Sequence, residues 1–235
     1  RRYRLFIYYL LSKVGTHMNV KITRDWIKSF FVMIVAVIIM GMCVSLLVMC
    51  DMGTDPCSAM NYGISHKIGM SFGNYQLLSN IVLLMIVIIF ERKLIGTGTF
   101  GNMILVGYSA DFFTWVWKEI CHAPDQFNMN LRIGILIPAL ILFILAAAIY
   151  MQSGHGTAPY DAVSFLISDR IEKRTGKNMF RIVRIIYDLV ATCIGVLTGG
   201  EVGVITILMV ILLGPTVDLV GKLIKSRSVT ERSAT

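Results

Sequence analysis

Long apolar runs separated by short polar breaks set the pattern of this chain. Stretches near 27–50, 75–91, 98–117, 131–152, 179–198 and 202–223 are each apolar over the length a helix needs to cross about 30 Å of hydrocarbon. They predict six membrane-spanning helices. Between the first and second lies Gly53-Thr54-Asp55-Pro56, and between the fourth and fifth lies Gly156-Thr157-Ala158-Pro159. Proline fixes φ near the helical value and lacks the N–H that a first-turn residue leaves unpaired. Pro56 therefore suits the first position of a helix, with Asp55 as its N-cap. A helix from Pro56 to Lys67 reaches about 18 Å at 1.5 Å per residue, too short to span. It is expected to lie at the interface or to dip into the membrane and return, and a second such helix is expected after Pro159.

The second half replays the first. Gly53 and Pro56 match Gly156 and Pro159 at an offset of 103 positions. After the short helix the offset is 107, pairing Gly69 with Gly176, Gly96 with Gly203, Thr99 with Thr206, Gly107 with Gly214 and Asp111 with Asp218. The four extra residues are expected in a loop at the charged stretch Asp169 to Arg174, where an insertion is tolerated. The order predicts an internal duplication: a basic head 1–25, a first repeat 26–118, a connecting loop 119–130 containing Pro124, a second repeat 131–223 and a tail 224–235.

A unit with three crossings must be inverted relative to its copy, whereas one with four would run parallel to it. With the basic head inside, the inner segments carry Arg92, Lys93, Arg170, Lys173, Arg174, Lys222 and Lys225, while 51–74, 118–130 and 199–202 hold few basic residues. The positive-inside bias thus favours two inverted three-helix repeats with both termini cytoplasmic.

Composition narrows the class further. The chain is 56% hydrophobic and 15% charged with a mean hydropathy of +0.72, more apolar than one water-soluble core could bury, so the lipid bilayer is its expected surroundings. The net charge of +8 gathers at helix ends, where anionic lipid accounts for it, and nucleic acid is not an expected partner. Ile7 to Leu11 is too short for a secretory apolar core, so no cleaved signal is expected. Phe112, Phe113, Trp115 and Trp117 read as an interfacial aromatic belt.

The five cysteines form no CxxC pair and the four histidines, at 17, 66, 122 and 155, have no ligand spacing, so neither metal nor cofactor is expected. GTGTFG lacks the Gly-Lys-Ser/Thr ending of a phosphate loop, and no GxSxG or HExxH occurs. No enzymatic activity is expected.

The runs GTDPCSAMNYGIS, GTGTFGNMILVGYSADFF, GTAPYDAVSFLIS and GVITILMVILLGPTVDLV resemble the YczE/YyaS/YitT group of bacterial membrane proteins, over about residues 25–222. The resemblance implies a multi-pass bacterial inner-membrane protein of five or six spans and supplies no activity.

Candidate chemistry lies at the two helix starts and inside the spans. Helix N-termini offer free N–H groups and the positive end of a dipole, which makes Thr54, Asp55 and Cys57 in the first motif and Thr157, Tyr160 and Asp161 in the second candidates for solute contact. The alternative is that Gly-Thr-X-Pro only caps a helix and turns the chain. Arg184 and Asp188 lie four apart, on one helical face, and can pair either as solute ligands or as a structural ion pair, while Arg181 snorkels to the interface. Gln76, Asn80 and Asn102 could hydrogen-bond a solute, with helix packing the commoner use, and Asn80 is kept as a candidate. Asp111 and Asp218 read as solvated caps or anchors.

The expected function is a small-solute transporter, an anion being one option, with its site between inverted repeats. A solute-binding or accessory subunit of a multi-component importer, and a non-transporting scaffold or regulator, are the alternatives. A homodimer or another membrane protein is a compatible partner.

Overall fold

The computed structural model describes residues 23–124, 127–177 and 179–211, and all of the described secondary structure is helical. Most of the head, the sixth span beyond residue 211 and the tail lie outside the described residues, and with them Gly214, Asp218, Lys222 and Lys225.

Helix α1 (Arg24–Met49) starts at Thr23, whose hydroxyl accepts the Trp26 N–H. Helix α2 (Pro56–Ile68) starts as its sequence predicts, with Pro56 in the first turn, Asp55 accepting the Ser58 N–H, and Gly69 closing it in the left-handed region at φ 68°. Helix α3 (Phe72–Phe90) is capped by Ser71 and leads through a 3-10 turn (Arg92–Leu94) into α4 (Thr97–Trp115), which continues as a π-helical turn (Val116–Ile120). Helix α5 (Met129–Gln152) precedes α6 (Pro159–Thr175) and α7 (Phe180–Thr198), and a further helix runs over 204–211.

Helix α6 has 17 residues where α2 has 13, and Gly176 closes it at φ 68° as Gly69 closes α2. The four residues expected to form a loop at Asp169 to Arg174 are instead helical. A charged sequence at the end of a helix is solvated by water along its flank, so added length costs less as another turn than as an unpaired loop.

Helices α1, α3 and α5 are long and apolar enough to cross a membrane. Helices α4 and α7 fall short in composition: α4 carries three threonines, Asn102 and Asp111, and α7 carries Arg181, Arg184 and Asp188. On α7 Arg184 and Asp188 face inward, while Arg181 is exposed. Asp188 and Thr192 are buried while Ile182, Ile186, Val190 and Leu197 are exposed, Leu197 at 77%. Water would leave this arrangement inside out, and lipid suits it. Helix α1 runs through the middle, its buried Met33, Val37, Val44 and Leu47 packing against α4 and α5.

The two Gly-Thr motifs are fastened by main-chain bonds to segments far along the chain. The Thr54 N–H donates to the Glu201 carbonyl at 3.1 Å, and the Ile205 N–H to the Met52 carbonyl at 3.2 Å. The Thr157 N–H donates to the Leu94 carbonyl at 3.0 Å, and the Gly98 N–H to the His155 carbonyl at 2.6 Å. Gly53 and Gly156 turn the chain at φ 98° and 100°, a region L side chains rarely adopt. Helix α2 packs against α3 and α7, and α6 against α7 and α3.

Candidate functional site

The first turns of α2 and α6 open onto one cavity of about 470 Å³. From α2 it is lined by Asp55, Cys57 and Ser58, from α6 by Tyr160 and Asp161, from α3 by Gln76 and Asn80, from α4 by Asn102, and from α7 by Arg184 and Asp188. Apolar residues of α1 and α5, Val44 and Phe143 among them, close the rest. Along α6 the wall continues past Phe165 to Asp169 and Glu172, whereas on α2 it stops after the first turn. Asp169 pairs at 2.5 Å with Lys173, both well exposed, so the cavity reaches solvent at the far end of α6.

Seven of the nine residues expected from sequence to contact a solute line this space: Asp55, Cys57, Asn80, Tyr160, Asp161, Arg184 and Asp188. Thr54 and Thr157 do not. Thr54 is fully buried in its clamp with Glu201, and the Thr157 carbonyl accepts the Thr99 hydroxyl at 2.8 Å while its N–H reaches Leu94. Both precede the N-cap and have backbone groups bonded to other segments, so these two hold the motif in place rather than face the cavity.

Arg184 stands at the centre of an ionic network. Its Nε donates to Asp188 Oδ2 at 2.9 Å, its Nη1 donates to Asp161 Oδ1, and the Tyr160 hydroxyl donates to Asp188 Oδ1 at 2.8 Å. The pairing of Arg184 with Asp188 follows from their i, i+4 spacing, and Asp161 joins from a different helix. With two carboxylates on its guanidinium, Arg184 is committed within the protein. It is also the one basic side chain lining the cavity among the described residues. Asp55, only 7% exposed, accepts the Ser58 N–H at 3.1 Å and the Thr54 hydroxyl at 3.5 Å, and forms no ion pair with any described residue. The positive end of α2 is thus occupied by its own cap.

Gln76 and Asn102, for which both solute contact and the commoner helix packing were open from sequence, line the cavity with Asn80. The signal that finds Gln76 is its spacing of four from Asn80 on an otherwise apolar helix, which puts two amides on one face; no such spacing marks Asn102. Gln76 is buried and its Oε1 has no hydrogen-bond partner among the described residues. Among the described residues, no group of three or more His, Cys, Asp or Glu side chains is placed to hold a metal ion.

Asp111, read as a solvated anchor, accepts the Gly73 N–H at 2.9 Å and so caps the start of α3 from a neighbouring helix. Trp117 donates from its indole to Ser45 at 3.0 Å, tying the end of α4 to α1, while Trp115 and Phe112 are exposed. Cys43 and Cys50 are buried in the core, and Cys121 and Cys193 are exposed.

With this geometry in place, comparison with known proteins identifies the relatives. The profile of the family described as "Family of unknown function (DUF6198)" matches residues 27–222, more than half of the chain. The chain belongs to the DUF6198 family. Two relatives come from Bacillus subtilis (strain 168). "Uncharacterized protein YyaS" is 28% identical over 77% of this chain and 86% of its own length, and "Uncharacterized membrane protein YczE" is 26% identical over 69% of this chain and 71% of its own. Both agree with the YczE/YyaS resemblance of the motifs, and the second agrees with the apolar helices in pointing to a membrane protein. No solved structure matches the chain at a significant level. The matched residues of this DUF6198 chain take in both Gly-Thr motifs and every polar residue of the cavity.

Proposed function

We propose that this DUF6198 chain is a multi-pass transporter of the bacterial inner membrane that moves a small solute through the cavity between two inverted three-helix repeats. The observation that carries the reading is that both Gly-Thr-X-Pro helix starts, a hundred positions apart in sequence, open onto the same polar cavity. Short helices whose N-termini meet at mid-membrane from opposite repeats are a recurring way of building a transport site.

The fastening of the motifs supports the repeats. Thr54 binds Glu201 and Thr157 binds Leu94, and Met52 binds Ile205 as His155 binds Gly98. Each first-half residue here matches its second-half counterpart at the offsets of 103 or 107, so each repeat would hold the other's motif by the same bonds. In this reading six helices cross, the termini lie in the cytoplasm, and the end of α6 with Arg170, Lys173 and Arg174 faces the cytoplasm. The cavity, open along α6 and closed beyond the first turn of α2, then faces inward. The cavity also weighs against a scaffold, which needs no polar space between its halves.

Uptake into liposomes holding the purified chain tests the proposal. At least one solute class is expected to accumulate, with Arg184→Ala and Asp188→Asn abolishing uptake while the protein still elutes as a folded species. If no solute moves and the two variants change stability alone, the transporter reading is lost.

A further inference from the structure

We infer that the cavity selects a cationic solute bearing N–H groups, an amine in its ammonium form, which would pair with Asp55 and donate to Gln76. The inference rests on the solute-cavity reading above and adds the chemical class.

The charge of the lining points this way. Three buried or nearly buried carboxylates, Asp55, Asp161 and Asp188, face one guanidinium, and Arg184 already pairs with two of them. Asp55 is left with neutral donors only, the Ser58 N–H and the Thr54 hydroxyl. A buried carboxylate without a cation is costly, and its commonest remedies are a proton or a positively charged partner.

Gln76 supplies the second, independent observation. It is 5% exposed, lines the cavity, and its Oε1 has no donor among the described residues. Buried amide oxygens are almost always satisfied, so an orphan beside a cavity marks the place of a missing donor. An ammonium N–H answers both Gln76 and Asp55; an anion answers neither. Phe143 and the other apolar residues of the lining add surface on which an organic substituent of the cation can rest.

The anion considered from sequence would need Arg184 or a helix N-terminus. Arg184 is engaged by Asp161 and Asp188 and the α2 N-terminus by Asp55, while the α6 N-terminus, where Ala158 gives no side-chain cap, carries the Asp161 carboxylate in its first turn.

The test is a thermal shift of the full chain in detergent, followed by its tryptophan fluorescence, with four probes that share a phenethyl group: phenethylammonium, its N-trimethyl derivative, 3-phenylpropanamide and 3-phenylpropionate. At about ten times its Kd phenethylammonium is expected to raise Tm by roughly 3 °C. The trimethyl form, lacking N–H groups, is expected to bind about tenfold more weakly, and the neutral amide and the anion to give no shift. Asp55→Asn should abolish the shift, and Gln76→Leu should weaken binding about fivefold. Selectivity among the probes is read on the unaltered chain, so it stands even if a variant does not fold. An equal shift with all four probes, or a shift with 3-phenylpropionate alone, overturns the cationic class and leaves the solute cavity standing. No shift with any probe also overturns it, and uptake into liposomes then decides the transporter reading separately.

Discussion

Gly156 lies so close to Gly96 that a Cβ built on Gly156 would stand 2.4 Å from the Gly96 amide nitrogen, and one built on Gly53 would stand 2.5 Å from the amide nitrogen of Gly203. Both glycines turn the chain at positive φ. The two motifs are thus seated chiefly backbone on backbone, with one threonine hydroxyl, Thr206 or Thr99, beside each glycine. Gly53→Ala and Gly156→Ala are each expected to lower stability by about 1–3 kcal/mol, through strain at positive φ and the displaced neighbour. Thermal unfolding in detergent checks this. A loss in one variant and none in the other would mean that the two seats are not equivalent.

Breaking the ionic network is expected to cost more than neutralising it. Arg184→Ala leaves Asp161 and Asp188 without their cation, and removal of one partner from a buried pair costs about 3–5 kcal/mol. Asp188→Asn keeps an oxygen for the Tyr160 hydroxyl and is expected to cost less. The triple variant Arg184→Ala, Asp161→Asn, Asp188→Asn should recover much of the loss, which unfolding of the four proteins side by side would show.

Tyr160→Phe removes one hydrogen bond to a carboxylate, 2.8 Å long and buried. A loss of about 1.5–3 kcal/mol is expected with the ring still in place, measurable by the same unfolding assay.

Glu201 sits in the turn after α7, half-buried, and burial followed by the neighbouring Asp51 carboxylate raises its side-chain carboxyl above the usual range. A raised folded-state pKa means that the folded chain holds the proton more tightly than the unfolded one. Its contribution is therefore present in acid and lost as pH rises through the folded value. Glu201→Gln, which leaves the main-chain bond to Thr54, is expected to raise Tm at neutral pH and to leave it unchanged near pH 4.

Much of this arrangement was legible in the residues. The Gly-Thr-X-Pro starts, the left-handed glycines that close α2 and α6, and the pairing of Arg184 with Asp188 depend on local geometry, which spacing along one helix reports. Asp161 was a candidate without its partner, because nothing in the spacing on α6 or α7 states that these helices meet. The use of Gln76 and Asn102 was open for the same reason: an amide on an apolar helix faces another helix or a void, and only the neighbours decide. The extra turn of α6 was missed because charged residues between glycines and prolines suit a loop and a solvated helix end equally well. Thr54 and Thr157 illustrate the opposite error, since a residue beside a helix start can belong to the clamp that holds it.

If the two halves enter the membrane in opposite directions and bracket one cavity, the far ends of α2 and α6 lie on opposite faces of the bilayer. Lys67 and Arg174 occupy matched places in the last turns of α2 and α6, and both are exposed. In a background with the native cysteines replaced, Lys67→Cys and Arg174→Cys can each be labelled in intact cells with a membrane-impermeant maleimide. Labelling of the cysteine at 67 from outside, with that at 174 reached only after the membrane is opened, is the expected result. Labelling of both from the same side would contradict the account.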